Sequence, residues 1–267
     1  MRIVSFSSGL GNQIFIYLFY NYLQCKYPVE RIYGYYNKKK LNKHNGLEVE
    51  KVFDINLPPR SFLTDVIAFL CRKLNGIGIK RFRTTDNPYN ENAIYFEGYW
   101  QYRKFMGSDY NLMKFRNFDL DEENTSILNC IRDTDSVSIH VRRGDYLEPR
   151  FASRYGNIAT LDYYNNAIHI IRKNVEKPYF FVFSDDIDWV KDNLKIDNAV
   201  YVTHNKGKNS YLDMFLMSNC KHNIIANSSF SFWAAMLNEN EGKIIVYPSK
   251  WTNIRTPDYF PESWEGL

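Results

Sequence analysis

The 267-residue sequence lacks any run of 18 consecutive apolar residues, so no membrane-spanning helix is expected. Cysteine is scarce, and Cys25, Cys71, Cys130 and Cys220 form no Cys-x-x-Cys unit with nearby histidines, which argues against a zinc site. Their apolar or helix-like neighbours instead predict buried free thiols in a reducing compartment.

Neither sign of charge dominates, because 34 Lys and Arg stand against 30 Asp and Glu. The basic runs Lys38 to Lys40 and Lys80 to Arg83 are short, and such runs usually form solvated faces. We therefore expect no nucleic-acid partner and at most a weak attraction to an anionic lipid surface. Residues 1–6 do not resemble a signal peptide, so we expect a cytoplasmic protein, compatible with peripheral association at the inner face of the membrane.

Short apolar runs alternate with helical patterns along most of the chain. The N-terminus reads as a strand, a glycine turn and a helix, and residues 61–74 predict an amphipathic helix without nameable chemistry. Beyond residue 123, predicted strands at 136–141, 179–183, 199–202, 222–225 and 243–247 alternate with helices at 162–175, 187–194, 211–219 and 231–237. This spacing predicts an α/β fold with a parallel sheet covered on both faces. The acidic stretch from Asp119 to Glu123 predicts a seam, and hence lobes at 1–123 and 124–267.

Polar residues gather where three of these predicted strands end, and ligands of such sheets bind outside the carboxyl ends of the strands. His140, Arg142, Arg143 and Asp145 follow the first strand. An arginine fork matches phosphate oxygens and keeps its charge, which favours a diphosphate ligand for Arg142. A purely structural network of arginine and aspartate is the alternative. His140 and Arg142 should share one face of the strand, with Arg143 pointing away.

Asp185 and Asp186 follow the second strand. Paired carboxylates are typical metal ligands, but Asp186 could equally cap the next helix. Asp185 could accept hydrogen bonds from a guanine ring. The predicted strand at 222–225 runs into Asn227, Ser228, Ser229 and Phe230 at the start of a helix. Hydroxyl and free N–H groups there can either hold phosphate or simply cap the helix.

Four segments together resemble the alpha-1,2-fucosyltransferases of glycosyltransferase family eleven. They are the turn Gly9-Leu10-Gly11-Asn12-Gln13, the cluster His140-Val141-Arg142-Arg143-Gly144-Asp145-Tyr146, the segment Phe183-Ser184-Asp185-Asp186 and the run Asn227-Ser228-Ser229-Phe230-Ser231. The resemblance implies a GT-B fold of two Rossmann-like lobes with a cleft between them. It further implies GDP-fucose as donor, a glycan acceptor, inversion at the anomeric carbon, and neither a metal nor another cofactor.

The resemblance also assigns roles by position. It places Arg142 on the β-phosphate, His140 and Asp185 near the nucleoside or the fucose, and Asn12, beside Gly11, near the reacting centre. Residues 227–230 would surround the phosphates. Ser8 stands where the family usually has another glycine.

The general base is not identified by this pattern. We take Asp145 as the leading candidate, with Glu148 and Glu97 as alternatives. The aromatic residues Tyr95, Tyr99, Trp100 and Tyr102 are hypothetical stacking platforms for an acceptor sugar. Two other functions stay open, namely a transferase that uses a different nucleotide sugar and a non-catalytic glycan-binding module on the same fold.

Overall fold

The computed structural model describes residues 1–107 and 109–267, with the backbone alone for Asp109 and Asp145. The chain forms two compact units, Met1–Arg116 and Asn117–Leu267. The acidic stretch predicted as the seam lies in the second unit. There Asp121 caps a helix, because its side chain accepts a hydrogen bond from the backbone N–H of Asn124 at 2.8 Å.

The first unit is built around a parallel sheet whose four described strands have the order β2–β1–β4–β3. The strands are β1 (Arg2–Phe6), β2 (Ile32–Tyr36), β3 (Arg83–Thr84) and β4 (Tyr95–Phe96). The helices are α1 (Leu10–Lys26), α2 (Lys38–Leu41), α3 (Val49–Val52), α4 (Phe62–Gly76) and α5 (Arg103–Met106), with a 3-10 helix at Asp109–Leu112. Every residue of β1 is buried, as expected for a parallel strand covered on both faces.

The second unit holds a larger parallel sheet, in which the six described strands run in the order β10–β9–β8–β5–β6–β7. The strands are β5 (Asp135–Val141), β6 (Pro178–Ser184), β7 (Ala199–Val202), β8 (His222–Ile224), β9 (Ile245–Tyr247) and β10 (Glu265–Gly266). The helices are α6 (Glu122–Asp133), α7 (Pro149–Tyr155), α8 (Leu161–Asn174), α9 (Ile187–Asn193), α10 (Tyr211–Asn219) and α11 (Ser229–Met236), with 3-10 helices at Asp145–Leu147 and Gly207–Asn209.

The centre of the second sheet is the core of this unit. Val137, Ile139 and Val141 of β5 pack with Phe180 and Val182 of β6 and with the apolar face of α8. The Tyr163 hydroxyl of α8 lies 2.6 Å from the Ile225 carbonyl oxygen, which ties the helix to the end of β8. These contacts fix the positions of the strand ends relative to one another. The strand order of the two sheets confirms the predicted α/β fold with parallel sheets.

Two further expectations can be compared with the described residues. None of the described helices has both the length and the apolar character needed to cross a bilayer. The four cysteines are free thiols as expected, but the expectation that all are buried is wrong for Cys25, which is exposed near the end of α1, and for the half-buried Cys130.

Candidate functional site

The carboxyl ends of β8, β5 and β6 lie side by side. Because the three strands are parallel neighbours, the residues that follow them share one edge of the sheet. In register, Val141 pairs with Ser184 and Ile139 pairs with Ile224. Arg142 and Asp185 therefore begin their loops at this edge, and Asn227 lies three residues beyond the end of β8.

Asp185 contacts two consecutive residues after β5. One carboxylate oxygen, Oδ1, accepts a hydrogen bond from the backbone N–H of Arg143 at 2.9 Å. The other, Oδ2, lies 3.1 Å from the Arg142 guanidinium. This arrangement orients the Arg142 side chain, which is about one-third exposed and so remains accessible to a ligand.

Gly144 allows the Asp185 carboxylate to come this close. A Cβ atom at position 144 would stand 2.7 Å from Asp185 Oδ2, which is too short for a contact between carbon and oxygen unless the carboxylate moves. The glycine thus has a steric reason to be there, since its own backbone conformation is not left-handed.

Arg143 and Asp186 form a second, separate pair. Arg143 Nε lies 3.0 Å from Asp186 Oδ2, and its guanidinium stacks 3.8 Å from the Trp189 ring centroid. Asp186 also caps α9 by accepting a hydrogen bond from Trp189 N–H at 3.3 Å. The capping alternative for Asp186 is therefore confirmed.

His140 is buried directly beneath this edge. Its backbone carbonyl accepts a hydrogen bond from Tyr164 Oη at 3.0 Å, and its ring lies 5.9 Å from that of Phe230. Burial, together with the Arg142 cation, lowers the pKa of His140 to about 4 despite the opposing effect of Asp185. The imidazole is therefore neutral at pH 7. Its Nδ1 has no hydrogen-bond partner within the described part of the chain.

The third strand end leads into α11. Ser228 is the N-cap, and its hydroxyl oxygen accepts a long hydrogen bond of 3.4 Å from Phe230 N–H. Ser229 and Phe230 are half-buried in the first turn. The Asn227 amide donates both N–H groups to backbone carbonyls, those of Tyr155 at 3.1 Å and Trp251 at 3.2 Å. Of its side-chain amide, only the oxygen Oδ1 could therefore meet a ligand.

Tyr146 belongs to this edge but was not singled out from the sequence. Its hydroxyl donates a hydrogen bond to the Asn227 carbonyl at 3.0 Å, and its ring stacks on Tyr155 at 5.1 Å. The Arg142 guanidinium lies 5.8 Å from the Tyr146 ring centroid. Tyr146 thus links the β5 loop to the β8 loop, and its place in the motif was the only available signal.

A second missed feature follows β7, the neighbour of β6. Asn205 donates a hydrogen bond to the Asp213 carboxylate of α10 at 2.9 Å, and to the Asn124 amide oxygen of α6 at 2.8 Å. Burial raises the pKa of Asp213 to about 7, although the Asn205 hydrogen bond acts in the opposite direction. An isolated Asn and Asp in the sequence gave no sign of this network.

The three candidate general bases have different surroundings. Asp145 begins the 3-10 helix after Gly144, but its side chain lies outside the described residues. Glu148 is at the N-cap of α7 and pairs with Arg150 at 2.6 Å. Glu97, in the first unit, is buried, which raises its pKa, but Lys40, Arg83 and Arg72 together lower it below its ordinary value. A carboxylate held in this way is a poor general base.

The glycine turn of the first unit has an internal scaffold. Asn12, half-buried beside the buried Gly11, donates to Ser8 Oγ at 3.0 Å and accepts from Gln101 Nε2 at 2.9 Å. Gln13 is fully buried, and its amide makes four hydrogen bonds to backbone atoms of the turn and of residues 46–49, at 2.8, 2.8, 2.9 and 3.1 Å. The turn is therefore well ordered, and Asn12 is fixed on both sides.

The aromatic platforms are only partly available. Tyr95 and Trp100 are fully buried, and Trp100 stacks on Phe19 at 3.8 Å within the core of the first unit. The hypothesis that these two rings stack on a sugar is wrong, because no face is open. Tyr99 is 41% exposed and Tyr102 is half-buried, so these two remain accessible.

Comparison with known proteins identifies the family. The family model described as Glycosyl transferase family 11 matches residues 48–267, which include all three strand ends. The chain belongs to glycosyl transferase family 11. This family 11 chain is 30% identical to an alpha-1,2-colitosyltransferase of Escherichia coli. The aligned region covers 97% of this chain and 96% of that relative.

One further sequence relative and one solved structure are similar to this family 11 chain. It is 32% identical to galactoside alpha-(1,2)-fucosyltransferase 1 of Saimiri boliviensis boliviensis over 49% of this chain and 38% of that one. Among solved structures, NodZ alpha-1,6-fucosyltransferase co-crystallised with GDP matches 88% of this chain and 91% of its own, with a TM-score of 0.51 and 12% identity. At that identity the likeness supports the fold alone.

The two adjacent carboxylates after β6 both pair with arginine side chains. Asp185 and Asp186 each contact a different arginine. Within the residues described, no group of three or more His, Cys, Asp or Glu side chains is arranged to hold a metal ion. Independence from a metal remains a prediction that a chelator can test.

Proposed function

We propose that this protein transfers L-fucose from GDP-β-L-fucose to the 2-hydroxyl of a terminal galactose-type sugar, with inversion at the anomeric carbon. The observation that carries the proposal is the Arg142 guanidinium, oriented by Asp185 next to the start of α11 in a family 11 chain. A guanidinium beside a helix N-terminus suits the phosphates of a nucleotide sugar, because the N–H groups of a first turn have no carbonyl partner within the helix.

In this mechanism the acceptor oxygen forms a bond to the anomeric carbon while the bond to the β-phosphate oxygen breaks on the opposite face. Negative charge develops on the departing GDP. Arg142 and the first N–H groups of α11 stabilise that charge where it appears, which is the largest contribution a site of this type can make. The neutral imidazole of His140 can give or accept one hydrogen bond without adding a further charge.

The remaining roles follow the sequence analysis. We assign the donor to the second unit and the acceptor to the first, and we place Gly11 and Asn12 near the reacting centre. Asp145 is proposed as the base that takes the acceptor proton, with Glu148 as the alternative. We also propose that the protein acts in the cytoplasm. In support, 117 aligned residues of this chain are 44% identical to an O-antigen biosynthesis glycosyltransferase of Escherichia coli.

A second donor is favoured by one observation. The relative that matches nearly the whole chain is named for colitose, which is fucose without its 3-hydroxyl. The phosphate contacts proposed for Arg142 do not distinguish the two sugars. A site that hydrogen-bonds the 3-hydroxyl would reject the deoxy sugar strongly, because its polar groups would be left unpaired.

The first experiment follows GDP release from GDP-fucose with a lactose-type acceptor in excess chelator. Wild type should release GDP only when the acceptor is present, and Arg142→Ala should lower kcat by about a hundredfold to a thousandfold. Arg143→Ala is the matched control, because Arg143 pairs with Asp186 and stacks on Trp189. Equal losses in both variants at equal stability would contradict the role of Arg142.

The donor is decided by comparing kcat/KM for GDP-fucose and GDP-colitose with the same acceptor. A clear preference for GDP-fucose supports the proposal, and the reverse preference replaces it with colitosyl transfer. If neither donor nor any other GDP-linked sugar releases GDP, although GDP itself raises the melting temperature, the site binds nucleotide without this chemistry.

A further inference from the structure

The helix α4 packs in an unusual way for a helix of a folded unit. The fully buried side chains on the sheet side are small, namely Thr64, Ala68 and Cys71, and the half-buried Ile67 packs beside them. Five other large apolar side chains face solvent instead. Exposed fractions are 85% for Phe62, 64% for Leu63, 36% for Val66, 53% for Phe69 and 50% for Leu70.

These exposed residues form one stripe. At about 100° per residue, positions 62, 63, 66, 69 and 70 fall within an arc of about 120°, on the side opposite Thr64, Ala68 and Cys71. Ile77 and Ile79, just beyond the helix, are 75% and 41% exposed. We call this surface, residues 62, 63, 66, 69, 70, 77 and 79, the α4 face. A contiguous apolar surface of this kind usually marks an interaction site.

The charge around the α4 face is strongly positive. Residues 60–83 contain six Lys or Arg and one Asp, a net charge of +5 against +4 for the whole chain. Asp65 is already paired with Arg60, and Arg72 and Arg83 contact Glu97, so the positive charge that this surface offers comes mainly from Lys73, Lys80 and Arg81. Lys73 lies within the apolar arc, with its ammonium 5.6 Å from the Phe69 ring, and Lys80 and Arg81 are exposed beside Ile79.

We propose that the α4 face docks this protein onto an anionic lipid bilayer. An apolar stripe of Phe, Leu, Val and Ile accompanied by Lys and Arg is what a helix lying in the membrane interface requires. The apolar side chains enter the acyl boundary, while Lys73 extends its ammonium back to the headgroups. A protein partner would need acidic groups opposite Lys73, Lys80 and Arg81, whereas an anionic bilayer supplies them along its whole surface.

The test is flotation with vesicles, without nucleotide or acceptor, so that it is independent of the proposed function. Vesicles of phosphatidylethanolamine and phosphatidylglycerol should carry wild type at low salt, and vesicles of phosphatidylcholine should carry much less. The double variant Phe62→Ser/Phe69→Ser should bind at least about tenfold more weakly. The triple variant Lys73→Gln/Lys80→Gln/Arg81→Gln should lose about fivefold per charge and most of its salt dependence.

The matched control is Val29→Ser/Ile254→Ser, which removes two apolar side chains that are 96% and 73% exposed outside the α4 face. It should bind vesicles like wild type. The melting temperature should be close to that of wild type in all three variants, which checks that they fold without relying on the proposed activity.

Two outcomes would overturn the proposal. One is that wild type fails to float with anionic vesicles, or that the Phe variant floats as well as wild type. The other is sedimentation equilibrium showing a wild-type dimer that the Phe variant abolishes, in which case a second copy covers the face. If GDP release is absent throughout but flotation behaves as described, only the proposed function fails.

Discussion

Asp185 is the residue on which the geometry of the site depends most directly. Its two carboxylate oxygens are engaged by consecutive residues of the β5 loop, one through the backbone of Arg143 and one through the Arg142 side chain. Direct contact with a guanine ring, one role considered from the sequence, would have to share these oxygens. We therefore interpret Asp185 as a positioning residue that holds Arg142 at the sheet edge.

Replacing Asp185 by Asn removes the charge but keeps the shape of the side chain. We expect weaker GDP binding and a kcat lowered by about tenfold, because Arg142 is less well oriented. Asp186→Asn is the control, since it weakens the pair with Arg143, keeps a side chain that can cap α9, and should lower stability by less than about 1 kcal/mol without changing GDP affinity. Calorimetric GDP binding and the melting temperature separate the two variants. Equal GDP affinity in wild type and Asp185→Asn would refute the positioning role.

Gly144→Ala tests the same contact from the other side. The new Cβ would push against Asp185 Oδ2, so we expect a loss of GDP affinity similar to that of Asp185→Asn. In a double-mutant cycle with Asp185→Ala, the substitution Gly144→Ala should cost much less, because the clash is gone. Additive losses across the cycle would show that the two positions act independently.

At the scale of elements, the turn between β1 and α1 contains a residue in a strained backbone conformation. Ser8 has φ of 71°, in the left-handed region that favours glycine, and its hydroxyl accepts the Asn12 hydrogen bond. At Ser8 the strained backbone therefore destabilises the turn, whereas the hydrogen bond stabilises it.

A pair of substitutions at Ser8 separates these effects. Ser8→Ala keeps the strain and loses the hydrogen bond, whereas Ser8→Gly loses both. We expect the Ala variant to be less stable than the Gly variant by about 1 kcal/mol in urea unfolding. If the two variants unfold at the same urea concentration, the backbone at Ser8 is not strained.

The strands and helices around the site were largely predictable, whereas side-chain burial was not. The apolar runs of β5 and β6 identify parallel strands because both faces are covered. Gln13 and Trp100 gave no comparable signal, since their partners are backbone groups of residues 46–49 and the ring of Phe19. The reversed packing of α4 was also hidden, because a hydrophobic pattern does not say which face of the helix meets the sheet.

For the molecule as a whole, the buried His140 and the half-buried Asp213 make stability depend on pH in opposite directions. His140 has its pKa lowered to about 4, so the unfolded state binds more protons between about pH 4 and 6.5, and stability rises with pH there. Asp213 has its pKa raised to about 7, so the folded state binds more protons between about pH 4 and 7, and stability falls as pH rises.

Single variants should expose each contribution. Between pH 5 and 6.5, His140→Gln should show a smaller gain in unfolding free energy than wild type, by at most about 1.4 kcal/mol per pH unit. Asp213→Asn should show a larger gain than wild type over the same interval. Urea unfolding at both pH values gives the comparison, and identical pH dependence in all three proteins would contradict both shifts.

The close approach of Gly144 and Asp185 also limits how this chain can change over evolutionary time. A Cβ atom at position 144 would stand 2.7 Å from the carboxylate, so any residue other than glycine there requires Asp185 to shift. A single substitution at either position therefore weakens the orientation of Arg142. Descendants that acquire a different leaving-group clamp are expected to change both positions, which makes this pair a slow step in the divergence of donor binding.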